Sequence, residues 1–210
     1  MKADMDYQNA DEKIKYLKEN IAPDRDRAHG VVCRAAARLT DGTFLPCVRF
    51  LNPGGAIAGA VERFARARGG ECIVNNSPEL GFRLQVKSIV ADGNRVNEYD
   101  VARIEPSRFA FPPAILDRIE GETTMGWTGF SARMRDGKYF GFGTTGSFEF
   151  FEMPDGYEPA DIAEILNHSF VAAGGEVQDL PRAFLYAPPG YREAVIHQSR
   201  PFFSCFVDEL

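Results

Sequence analysis

The sequence predicts an α+β fold: largely antiparallel sheets with helices packed on one face, arranged as two tandem copies of a helix–hairpin–helix–strand unit. Three observations predict it. The run Ala36-Ala37-Arg38-Leu39-Thr40-Asp41-Gly42-Thr43-Phe44 reappears 95 positions later as Ser131-Ala132-Arg133-Met134-Arg135-Asp136-Gly137-Lys138-Tyr139. Each is followed by a helix-like stretch closing on Gly-Gly-Glu, at Gly69–Glu71 and at Gly174–Glu176. The strand-like runs are joined mostly by short connections, which favours antiparallel pairing.

The first element is an amphipathic helix from Asp6 to Ile21, with Tyr7, Ala10, Ile14, Leu17 and Ile21 on one stripe and Lys13, Lys15, Lys18 and Glu19 facing water. Pro23 ends it, and Asp24 to Arg27 reads as a charged connector. Val31–Leu39 and Thr43–Phe50 are strands joined through Asp41-Gly42, a pair that suits a type I′ turn. Asn52-Pro53-Gly54-Gly55 opens a helix of about thirteen residues with Ile57, Val61 and Phe64 inward. Cys72–Val74, Phe82–Val90 and Val96–Ile104 complete the first half as strands, the last two as a hairpin through Asp92-Gly93-Asn94.

Pro112-Pro113 starts a short helix through Ile119. Trp127–Met134, Tyr139–Gly143 and Ser147–Glu152 read as a three-stranded meander. Pro159 to Ala172 reads as a helix burying Ile162, Ile165, Leu166 and Phe170. Ala183–Tyr186 and Phe202–Val207 are the closing strands. In the second half of the repeat Ile57, Ala58 and Val61 fall on Ile162, Ala163 and Leu166, with about ten extra residues near 143–153 in the second copy. The division into lobes is 1–110 and 111–210.

A chain of 210 residues, 44% hydrophobic, buries enough surface to hold a core without disulfides or metals. Its seventeen phenylalanines, several in short strand-like runs, point to an aromatic-rich sheet core. The polar, acidic Met1–Gln8 is unlike an export leader, and the four scattered cysteines read as reduced and buried, so the expected compartment is the cytoplasm. No apolar run is long enough to span a bilayer as a helix. Residues 111–210 hold 7 Lys+Arg against 15 Asp+Glu, a net of −8. That field repels phosphate backbones, so nucleic acid is not an expected partner.

Site candidates follow from residue type and spacing. Gly141-Phe-Gly143-Thr144-Thr145-Gly146 matches G-x-G-x-x-G, but it continues into a strand-like run and not a helix, which excludes the dinucleotide fingerprint and leaves a loop able to cover a ligand. Gly54 and Gly55 offer free backbone N–H groups at a helix N-terminus, the makings of an anion site. His168, Glu164 and Asp161 share one face of the expected helix and form a weak acid–base candidate. Trp127, the one tryptophan, is a candidate ligand or interface platform. No local nucleophile signature, metal-ligand spacing or cofactor motif is present, and no motif resembles that of a known family. The expected function is that of a small acidic binding protein without catalysis, taking a protein partner, a second copy of itself or a small molecule, with no membrane. The alternative is an enzyme with a pocket between the two lobes, using the 141–147 loop and His168.

Overall fold

The computed structural model describes residues 8–26, 30–54, 58, 61–62, 65–66, 94–123, 126–146, 148–181 and 187–210. The chain divides into two compact units, Met1–Glu105 with Phe203–Leu210, and Pro106–Phe202. Strands dominate both, and the sheets mix parallel with antiparallel pairs. This overturns the expected α+β layering of helices on one sheet face. Of the helices with described bounds, α1 (Ala10–Asn20) has 11 residues and α2 (Pro113–Leu116) only 4. None is long and apolar enough to cross a membrane among the described residues.

In the first unit α1 begins in a capping box: Glu12 N–H donates to Asn9 Oδ1 at 2.9 Å, and Asn9 N–H donates to Glu12 Oε2 at 2.8 Å. The expected stripe is used, for Leu17 is fully buried and Ile21 nearly so. Each such side chain contributes about 1.5–3 kcal/mol. Lys13 does not face water as its position on the polar stripe suggests. It is 7% exposed and its ammonium donates to the Glu98 carbonyl at 3.1 Å. The long aliphatic stem explains this, since it lies in the core while the head meets a backbone oxygen.

The strands of this unit are β1 (Pro23–Asp26), β2 (Gly30–Leu39), β3 (Phe44–Leu51), β4 (Arg95–Val96), β5 (Val101–Glu105) and the last strand of the chain, β12 (Phe203–Phe206). Their order is β1-β2-β3-β12-β4, with β5 also on β2. The expected charged connector is therefore an edge strand. Arg34, 6% exposed, donates to Asp24 Oδ2 at 2.7 Å and satisfies a cation that β2 carries into the interior. Six consecutive buried residues, 32–37, mark β2 as covered on both faces. Val101 onward pairs with β2; the other arm of the expected hairpin, 82–90, lies outside the described residues, as do Cys72–Val74 and Ala183–Tyr186. Residues 53–54, 58, 61–62 and 65–66 are helical, and the rest of the expected helix also lies outside.

The second unit holds β6 (Thr128–Met134), β7 (Tyr139–Thr144), β8 (Ile162–Asn167), β9 (Ser169–Val171), β10 (Val177–Asp179) and β11 (Ile196–Gln198). Its main sheet runs β11-β7-β6-β8, and β9 pairs with β10. The core is aromatic, as the composition suggests. Phe130 and Phe142 stack at 5.4 Å between centroids, with Phe111 and Phe151 meeting them at steep angles. The meander is corrected: Phe150 and Phe151 make only isolated bridges, and β7 takes β11 as its outer partner in parallel. The expected helix at Pro159–Ala172 is also corrected. A 3-10 turn (Pro159–Asp161) leads into β8 and then β9. Apolar residues at 162, 165, 166 and 170 fit a helical period, yet β6 offers an open edge, and pairing from Phe130–Asn167 to Met134–Ile162 satisfies the backbone there.

The helix–hairpin–helix–strand unit expected in tandem is absent. What the units share is strand order and register: β5-β2-β3-β12 in one and β8-β6-β7-β11 in the other. A 3-10 turn precedes both β5 and β8. Thr40 N–H donates to the Asp100 carbonyl at 2.8 Å, and Arg135 N–H to that of Asp161 at 2.9 Å. Register shifts fall at Arg38/Leu39 and at Arg133/Met134. Residues 162–166 thus correspond to 101–105, and the alignment of Ile57–Val61 with Ile162–Leu166 does not hold. The two hairpin turns also match. Gly42 N–H donates to the Leu39 carbonyl and Gly137 N–H to that of Met134, each at 2.9 Å. Only the glycines take positive φ, at 93° and 90°. This replaces the expected type I′ turn by a three-residue loop with a glycine bulge.

Candidate functional site

In the second unit a small concavity of about 160 Å³ opens beside the C-terminal end of β7. Three chain segments build it: the turn bearing Gly121, Glu122 and Gly126, the start of β6 at Thr128, and Thr144, Thr145, Gly146 and Phe148. Thr144 is 3% exposed and fixes the loop after β7. Its hydroxyl accepts from Gly146 N–H at 3.1 Å and lies 2.8 Å from Ser199 Oγ. Ser199 N–H also donates to the Gly143 carbonyl, so the segment after β11 clamps this loop. Thr145 and Gly146 are exposed and line the concavity.

Three of the sequence candidates lie here: Thr144, Thr145 and Gly146. Gly143 does not. It pairs with Gly129 across β6 and β7, and the half-buried Trp127 indole covers both. A Cβ on Gly143 would fall 2.2 Å from Trp127 Cζ2. Burial pushes the pKa of Tyr191 up, and the nearby Trp127 draws it back down. Trp127 is thus a lid over two glycines and not a lining residue of the concavity.

The other candidates separate. Asp161 closes the 3-10 turn, Glu164 lies in β8 and His168 at the bend after it, so the shared helical face is lost. Asp161 accepts from Glu158 N–H at 2.9 Å, and Glu164 binds Arg133 at 2.8 Å. His168 takes the positive φ of 50° between β8 and β9. Its Nδ1 lies 3.3 Å from Thr123 Oγ1 and its Nε2 3.3 Å from Glu120 Oε2. Both ring nitrogens are therefore engaged within the fold. Thr123 is 1% exposed and also bridges the N–H and C=O of Gly129. The strip 120–123 alternates in purpose: its ends hold His168, while Gly121 and Glu122 line the concavity.

In the first unit the loop after β3 has a similar build. Asn52 Oδ1 accepts from Gly54 N–H at 2.8 Å, and its amide donates to the Leu210 carbonyl at 3.1 Å. That side-chain acceptor occupies the Gly54 N–H proposed for an anion; Gly55 lies outside the described residues. A second, more open concavity of about 320 Å³ lies on α1 between Asp11, Ile14, Lys15, Lys18, Glu19 and Glu209, and Lys18 spans part of it by donating to the Glu209 carbonyl. No cluster of three or more His, Cys, Asp or Glu with metal-holding geometry occurs among the described residues.

Glu122, Gly121, Gly126, Thr128 and Phe148 were not singled out by sequence. Four of them fall between positions 121 and 128 and Phe148 lies twenty positions beyond Thr128, and only the glycines at 121 and 126 hinted at a turn. No protein-family model, curated protein or solved structure matches the chain.

Proposed function

We propose that the chain is a binding protein of the cytoplasm that holds a small polar group, from a free molecule or a partner protein, in the concavity lined by Gly121, Glu122 and Thr128 together with Thr144, Thr145 and Phe148. One observation carries the reading: three threonines, a carboxylate and a phenyl ring converge on a hollow of about 160 Å³. Drug-sized ligands occupy roughly 300–1,000 Å³, so this hollow suits a single functional group or a side-chain tip. The engaged nitrogens of His168 weigh against an acid–base task there and favour capture over chemistry. Reduced, buried Cys33, Cys47 and Cys205 accord with a reducing compartment.

The test is a heteronuclear NMR titration with a library of small polar fragments. Amide shifts should concentrate at Gly121, Glu122, Thr145 and Gly146 and disappear in Thr145→Trp, whose exposed position leaves the fold intact. Shifts gathered on other surfaces, or none for any fragment, would overturn the assignment.

A further inference from the structure

Building on that binding reading, we infer that the group held in the second unit's concavity is an alkylammonium, supplied by a free amine or by a lysine side chain. Glu122 is the single ionisable residue among the described residues of the lining. It is exposed and makes no hydrogen bond or ion pair with the described residues. By contrast the neighbouring acids Glu120, Glu152 and Glu164 each face a cation or an imidazole. An unmatched carboxylate at the rim of a small hollow favours a cation there.

The remaining lining fits the same group. An ammonium has three donors and no acceptor, and beside Glu122 the exposed Thr145 carries a hydroxyl able to accept from it. Phe148 adds an aromatic side chain to the lining, a residue type that attracts cations. The hollow is small, which suits a compact ammonium on a slender stem better than a larger planar guanidinium. The surrounding field has the same sign. Residues 106–202 carry 8 Lys+Arg against 13 Asp+Glu, a net of −5, which attracts cations and repels anions.

The experiment titrates the full chain with n-butylamine, its neutral counterpart n-butanol, and acetate, reading the amides of Glu122, Thr145 and Gly146. Butylamine should bind most strongly, weaken as salt is raised, and lose roughly three- to fivefold in affinity in Glu122→Gln. A lysine-bearing peptide and its acetyl-lysine form separate the two sources: a peptide tighter than butylamine that fails on acetylation assigns a protein partner, and equal binding assigns a free amine. If butanol or acetate binds as well as butylamine and Glu122→Gln changes nothing, the cation inference falls while the binding site stands. If no probe moves these amides, both fall.

Discussion

Trp127 lies flat over Gly143, so close that a Cβ on the glycine would sit 2.2 Å from indole Cζ2. The contact ties the strip before β6 to the strand that ends in the Thr144 loop, and it does so through the absence of a side chain. A Cβ on Gly129, the cross-strand partner of Gly143, would meet indole Nε1 at 3.1 Å and Leu180 Cδ2 at 2.8 Å. Gly143→Ala must displace a rigid ring and should cost about 2–3 kcal/mol, whereas Gly129→Ala can push aside a leucine methyl and should cost about 1 kcal/mol. Pairing Gly143→Ala with Trp127→Leu should recover part of the loss. Thermal melts followed by the fluorescence of the sole tryptophan measure all but the pair, which circular dichroism reads; equal costs at the two glycines would contradict the geometry.

Thr123 answers for three partners with one hydroxyl. It bonds both backbone groups of Gly129 and reaches His168 Nδ1. Thr123→Val keeps the shape and strands a buried N–H, so a loss of about 1–3 kcal/mol is expected in chemical denaturation. His168→Ala in that background should cost less than in the parent, because the histidine has already lost one of its two anchors. Additive losses would show that the two act separately.

The glycines of the hairpin loops give a backbone test. Gly42 and Gly137 both sit near φ +90°, a region that β-branched residues avoid. Valine at either should lower stability by about 1–3 kcal/mol, and asparagine should lower it by less. Unchanged melting temperatures in both valine variants would mean that the loops relax freely.

His197 should make stability depend on pH. It packs against Phe140 and Phe142, with ring centroids 5.9 Å and 5.4 Å away. Burial pushes its pKa below the ordinary 6.5, with Glu152 and Asp155 pulling the other way. The unfolded chain then binds a proton more readily than the folded one. Stability from the neutral ring is present above pH 6.5 and falls as the pH drops from 6.5 through the lower folded value. His197→Phe should remove that part of the slope between pH 7 and 5. An unaltered slope in urea titrations would place the dependence elsewhere.

Sequence reading reached what local chemistry controls. The Asn9–Glu12 cap, the Leu17 stripe, the β2–β3 and β6–β7 hairpins and the aromatic core all follow from short-range patterns, because caps, turns and alternation are written within a few residues. Thr145 and Gly146 were legible as a loop for the same reason, whereas Thr144 ends β7. Tertiary structure decided the rest. Whether 162–171 became helix or strand depended on the open edge of β6, a partner 33 positions away at Ala132–Ile165 that no short window of sequence contains. The parallel placement of β11 and β12 depended on edges made far earlier in the chain, and Glu122 and Thr145 line one concavity only because the fold brings their segments together. Apolar spacing tells which residues are to be buried; the edge available to bury them against determines the backbone that does it.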